Sequence, residues 1–192
     1  MIYLDQAATS FPKIKEVQDA VIDCMNHCTN ANRSTSTTSL NASRLIYQTR
    51  KLIKEYFHVP QDTESLNTCI KGILKKGDHV ITTYAEHNSV LRPLYQLEKA
   101  NIITLSITSP TVEGIKKNLQ KNTKMIIVTH SSNVTGEIYP IAEIGKLAHE
   151  HGILMMSDIA QSAGHLLIDM EKMNLDILCF SGHKGLLGNS GV

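Results

Sequence analysis

The sequence predicts an α/β fold, three layers deep, in which a mainly parallel sheet lies between helices. Three observations predict it. Short apolar runs at 80–83, 102–107, 125–129, 152–158 and 176–180 read as strands. Stretches with helical spacing separate them, and such alternation gives a parallel sheet covered by helices. Two of the runs end in, or just before, a charged residue that packing explains poorly, namely Asp158 and Lys184.

The bulk numbers narrow the function classes. The chain has 192 residues, 42% of them hydrophobic, and a net charge of +1. That is enough for one domain with a sizeable core. A nearly balanced charge offers no field for nucleic acid or a membrane surface. No apolar run is long enough to span a bilayer. Met1-Ile2-Tyr3-Leu4-Asp5 lacks the basic and apolar regions of a signal peptide. Cys24, Cys28, Cys69 and Cys179 have no paired metal-ligand spacing. No metal site is expected, and a reduced, cytoplasmic chain fits best.

In order, residues 1–10 read as a short strand or extended arm. Pro12 suits the first turn of a helix, and Val17, Ala20, Val21, Cys24 and Met25 follow at helical spacing. Thr29 to Ser39, rich in Ser and Thr, reads as a loop. Leu45, Ile46, Leu52, Ile53 and Phe57 mark a second helix. A third opens near Thr63 and is closed by Gly77 as a C-cap. Strand 80–83, helix 89–99, strand 102–107, helix 113–120, strand 125–129 and helix 141–151 complete the alternation.

The chemistry is read from the two charged strand ends. Burying a lysine costs several kcal/mol unless the ammonium is paired or used. One use is a Schiff base with an aldehyde, of which pyridoxal phosphate is the commonest. That cofactor needs an acidic partner for its pyridine nitrogen. Asp158 ends the run Gly152-Ile153-Leu154-Met155-Met156-Ser157, and Lys184 follows Asp176-Ile177-Leu178-Cys179-Phe180 across Ser181-Gly182-His183. Both fall at the carboxyl edge of the expected sheet, where ligands bind in open α/β folds. Asp158 would serve equally as a helix N-cap; its pairing with Lys184 favours the cofactor role.

These residues resemble a family. Asp158-Ile159-Ala160-Gln161-Ser162 and Ser181-Gly182-His183-Lys184 are similar to the NifS-like branch of class V, fold-type-I pyridoxal phosphate enzymes, the cysteine desulfurases and selenocysteine lyases. The resemblance runs from Ile2 to about Gly188. It implies that residues 1–192 are the large, cofactor-binding domain, incomplete, with the C-terminal small domain absent. Lys184 would be the Schiff-base lysine. His87, in Glu86-His87-Asn88-Ser89, would stack on the cofactor ring and move protons; a loop histidine can also simply be solvated. Asn133, in Ser132-Asn133-Val134-Thr135-Gly136, and Gln161 would bond the phenolic oxygen. Asn133 could instead be a turn residue with Gly136 at positive φ. Ser181 and His183 would bind the phosphate. Thr63 would do so from a helix N-terminus, a place that also suits a plain N-cap.

The resemblance implies removal of sulfur from L-cysteine, giving L-alanine and an enzyme-bound persulfide. It further implies a homodimer, a sulfur-acceptor protein and a link to iron–sulfur cluster assembly. Another class V aminotransferase, a selenocysteine lyase, or a non-catalytic scaffold of the same fold are the other readings. The chain departs from the pattern in places. Gln6 replaces the usual asparagine of the N-terminal segment, and only Arg33 remains of a glycine-rich loop. The joins at 60–62, at 108–111 and after 188 are short. The expected nucleophilic cysteine and the carboxylate-binding arginine of the family lie beyond Val192, so these residues alone are not expected to desulfurate cysteine.

Overall fold

A computed structural model describes residues 3–31, 35–59 and 66–189. The chain divides into two units, Met1–Gln61 with Ser181–Val192, and Asp62–Phe180.

The second unit holds the sheet. Five strands, β1 (Asp78–Thr83), β2 (Ile103–Thr108), β3 (Thr123–Thr129), β4 (Leu154–Asp158) and β5 (Ile177–Cys179), pair in the order β2-β1-β3-β4-β5. Every pairing is parallel. The expected fold is therefore the observed one. The helices are α3 (Leu66–Ile73), α4 (Asn88–Lys99), α5 (Val112–Lys117) and α6 (Ile141–Glu150). From β1 the chain crosses through α4 to β2, then returns through α5 to β3 on the other side of β1. Right-handed crossovers running in opposite directions put their helices on opposite faces of the sheet. Accordingly α4 packs with α3, and α5 with α6.

The strands fold as they do because their side chains are covered on both faces. β1 and β3 are buried almost throughout, and Val80, Ile81, Ile126, Ile127, Val128, Met155 and Met156 are fully enclosed. Edge strand β2 is mixed in burial, as an edge exposed on one side should be. Polar groups inside the sheet are partnered. The His79 ring meets Thr123 Oγ1 at 2.8 Å and Ser106 Oγ at 2.9 Å, tying β1 to both neighbours. Burial without a charged partner lowers its pKa.

Gly145 has a packing role that the sequence does not announce. It lies buried in α6, where an added Cβ would run into the backbone carbonyls of Met173 and Asn174. Gly145→Ala is expected to lower stability by about 1–3 kcal/mol through overpacking, although alanine is the better helix former by about 1 kcal/mol. A lower urea midpoint at unchanged slope checks this.

The first unit contains α1 (Lys15–His27) and α2 (Thr37–Phe57), packed together, with the N-terminal arm and the 181–189 loop. On α1 the half-buried positions are Val17, Val21 and Cys24, one face at helical spacing, continued by Cys28 at the C-cap. Two expectations need correction. Pro12 precedes α1, which starts at Lys15, instead of standing in its first turn. The Ser/Thr run is not loop throughout. Ser36 caps α2, accepting from Ser39 N–H, so the helix begins at Thr37. The expected helix start at Thr63, Arg33, and the short join at 60–62 lie outside the described residues.

Candidate functional site

The carboxyl edge of the sheet gathers several of the expected residues. Strand order reverses between β1 and β3, since the chain leaves β1 toward one face and β3 toward the other. In open α/β sheets that point is where ligands bind. His87 lies in the loop after β1, Asn133 after β3, and Asp158 and Gln161 at and after the end of β4.

Asp158 is buried, at 5% exposure, directly opposite Thr129 in the β3–β4 register. Its Oδ1 accepts from Ala160 N–H at 2.9 Å, which turns the chain toward Gln161. Its carbonyl accepts from His130 N–H, and the Thr129 hydroxyl reaches it at 3.2 Å. No helix follows among the described residues, so Asp158 closes a turn instead of capping a helix, with its carboxylate at the ligand edge. Gln161 is half-buried in this turn.

His87 is exposed and is itself the N-cap of α4. Its Nδ1 accepts from Ser89 N–H at 3.2 Å and lies 2.9 Å from Ser89 Oγ. A neutral ring accepting at Nδ1 carries its proton on Nε2. The cap therefore fixes both the orientation and the tautomer of this imidazole. Asn133 is exposed at the tip of a tight turn. Ser132 Oγ receives Val134 and Thr135 N–H, and Gly136, at φ +72°, closes the turn on the Ser132 carbonyl.

Ser181, His183 and Lys184 belong to the first unit, all half-buried. The loop is built from short backbone bonds: Leu187 N–H to the Lys184 carbonyl at 2.8 Å, and Gly188 N–H to the Gly182 carbonyl at 2.7 Å. The His183 carbonyl, one peptide before Lys184, is ringed by donors from the N-terminal arm. Ser10 N–H, Ser10 Oγ, Thr9 Oγ1 and Lys13 Nζ all lie within 3.1 Å of it. Thr9 Oγ1 also meets His183 Nδ1 at 3.1 Å. The arm thus holds the peptide that carries Lys184, a contact between residues more than 170 positions apart that no local pattern announces.

Two further residues escaped the sequence reading. His130, after β3, is buried, its Nδ1 2.9 Å from Ser162 Oγ, and burial lowers its pKa. This links the Asn133 loop to the turn that holds Gln161. Glu86, one residue before His87, is buried, with Oε1 accepting from Thr83 Oγ1 at 2.7 Å and from Thr129 N–H at 2.8 Å. It joins the ends of β1 and β3 at the reversal point. Burial pushes its pKa up to about 8; Thr129 and Thr83 oppose the rise and the charge of Asp158 adds to it.

The residues suit a phosphorylated pyridine aldehyde. A buried carboxylate at a ligand edge can face a protonated ring nitrogen, and Glu86 Oε2 is a buried polar atom without a partner among the described residues. Asn133, Gln161 and His87 add neutral hydrogen-bonding groups. No helix among the described residues is long and apolar enough to cross a membrane.

The family model for class-V aminotransferases matches residues 2–192. A probable cysteine desulfurase of Pyrococcus abyssi is 33% identical over 211 residues, covering all of this chain and 52% of the relative. The IscS cysteine desulfurase of Dictyoglomus turgidum is 32% identical over 211 residues, with 100% and 52% coverage. Among solved structures, the apo cysteine desulfurase of Thermococcus onnurineus NA1 superposes with a TM-score of 0.84 at 30% identity, covering 99% of this chain and 52% of that one. The chain spans about half the length of the curated relatives it matches. The aligned length exceeds its 192 residues, so these relatives carry segments with no counterpart here.

Proposed function

The chain belongs to the class-V aminotransferase family, and we propose that it is the large, cofactor-binding domain of a pyridoxal-phosphate-dependent cysteine desulfurase. The observation that carries the reading is Asp158, a carboxylate buried at the end of a central parallel strand, next to the reversal of strand order. Bound pyridoxal phosphate would supply an aldehyde for the substrate amine and a ring that takes up electrons from Cα.

The chain's own residues divide the remaining work. Asp158 holds a proton on the ring nitrogen. Lys184 would hold the aldehyde and, as a free amine, would be the base for the Cα proton. His87 stacks on the ring, and its fixed tautomer presents Nε2–H as the donor. Asn133 and Gln161 bond the phenolic oxygen. Ser181, His183 and Thr63 hold the phosphate. Relatives named cysteine desulfurase support L-cysteine as the substrate. The reading also includes a homodimer in the cytoplasm that passes sulfur to an acceptor protein for iron–sulfur cluster assembly.

The acceptor of the sulfur atom is not assigned to a thiol of this chain. Burial pushes the Cys28 and Cys179 thiols up, away from the thiolate that sulfur transfer needs. Pyridoxal phosphate added to the purified protein should give an absorbance band distinct from that of the free aldehyde. L-cysteine should perturb this band more strongly than L-alanine or L-serine. A protein that leaves the spectrum of the free cofactor unchanged would refute the reading.

A further inference from the structure

Glu86 is a carboxylate in a place where a charge is hard to keep. It is buried, and Oε1 uses its capacity on Thr83 Oγ1 and Thr129 N–H. Oε2 is enclosed and has no partner among the described residues. An ionised oxygen left so costs far more than a neutral hydroxyl in the same spot. Thr129 is also the residue opposite Asp158 and bonds its backbone carbonyl, so one residue ties the Glu86 carboxyl to the strand end that carries Asp158.

The other ionisable groups on the elements around Glu86 relieve nothing. At the sheet edge where Glu86 lies, these are His87 opening α4, His130 after β3, Asp158 closing β4 and Cys179 closing β5. Burial disfavours a charge on His130 and on Cys179. Asp158 is the charged group that acts on Glu86, and it repels a second negative charge.

We propose that Glu86 is a positioning residue for Asp158: a neutral acid, pinned between the ends of β1 and β3, that leaves Asp158 the single negative charge at this point of the sheet edge. Two carboxylates of similar acidity here would share one proton, and Asp158 would carry its charge only part of the time. With Glu86 neutral, Asp158 alone sets the charge offered to a ring nitrogen, a consequence that rests on the cofactor reading above. The Thr83 and Thr129 bonds also fix the loop from which His87 projects one residue later. Ionisation of Glu86 in alkaline solution, centred near pH 8, would place a second charge beside Asp158.

Infrared difference spectroscopy of the full chain without cofactor tests this. A protonated-carboxyl band should persist at neutral pH and bleach with a midpoint near pH 8. Glu86→Gln keeps an oxygen for Thr83 and Thr129 and should remove the band. Isotope-labelled glutamate in the wild type gives the same assignment without any variant. In Asp158→Asn the midpoint should fall by roughly one pH unit, because the repelling charge is gone. No such band at neutral pH, or a midpoint unmoved in Asp158→Asn, would overturn the proposal. With pyridoxal phosphate bound, the cofactor's absorbance should show a step near pH 8 that Glu86→Gln lacks; the same step in both proteins would also overturn it. A wild type that binds no cofactor refutes the cofactor reading instead, and the infrared result still decides the role of Glu86 toward Asp158.

Discussion

Lys184→Ala should leave pyridoxal phosphate bound only reversibly and reduce exchange of the substrate Cα proton by at least about a thousand-fold, since the proton transfer alone is worth 10²–10⁴. The residue has two roles in the proposed function, anchoring the aldehyde and moving the Cα proton, and alanine performs neither. The loop itself should persist. Its bonds are made by backbone groups, with Leu187 N–H to the residue 184 carbonyl and the arm's donors to the His183 carbonyl. Cofactor should therefore be lost on gel filtration from the variant and retained by the wild type, with unchanged circular dichroism. Added methylamine should restore part of the proton exchange, replacing the missing amine. Wild-type retention and exchange in Lys184→Ala would remove it from the site.

Asp158→Asn should keep the fold and weaken the chemistry by two to three orders of magnitude. Asparagine retains an Oδ1 to accept the Ala160 N–H, so the turn into Gln161 survives. What disappears is a buried negative charge. Removing one partner of a buried ion pair costs about 3–5 kcal/mol, and the lower part of that range, about 3–4 kcal/mol, is roughly a 10²–10³-fold loss in the fraction of protonated ring. Cα proton exchange, followed by nuclear magnetic resonance in deuterium oxide, should fall accordingly, while cofactor capture by Lys184 continues. Exchange within tenfold of wild type would show that Asp158 is not the ring's partner.

Much of this was legible in the sequence because the signals are local. The apolar runs around 125–129 and 153–157 become β3 and β4 in the structure; Asp158 closes β4, and Asn133 and Gln161 lie in the loops that follow β3 and β4. Gly136 takes the positive φ that its turn requires. The start of α2 was missed because Ser and Thr are weak helix formers, and only the Ser36 cap shows that the helix begins among them. Glu86 stands in the sequence only as the residue before His87. Its acidity and burial depend on Thr129, 43 residues away, and on the charge of Asp158, neither of which a window of sequence contains. The N-terminal segment reads in the sequence as a short strand or extended arm; what the structure adds is its grip on His183. The expected phosphate contact of Thr63 falls outside the described residues.

The central claim is that Lys184 is the residue that carries the cofactor. Borohydride reduction of the protein saturated with pyridoxal phosphate, followed by proteolysis and peptide mass mapping, tests it most directly. One modified peptide is expected, containing Ser181-Gly182-His183-Lys184, with the added mass on Lys184. Modification of a different lysine, or an unmodified digest at saturating cofactor, would contradict it.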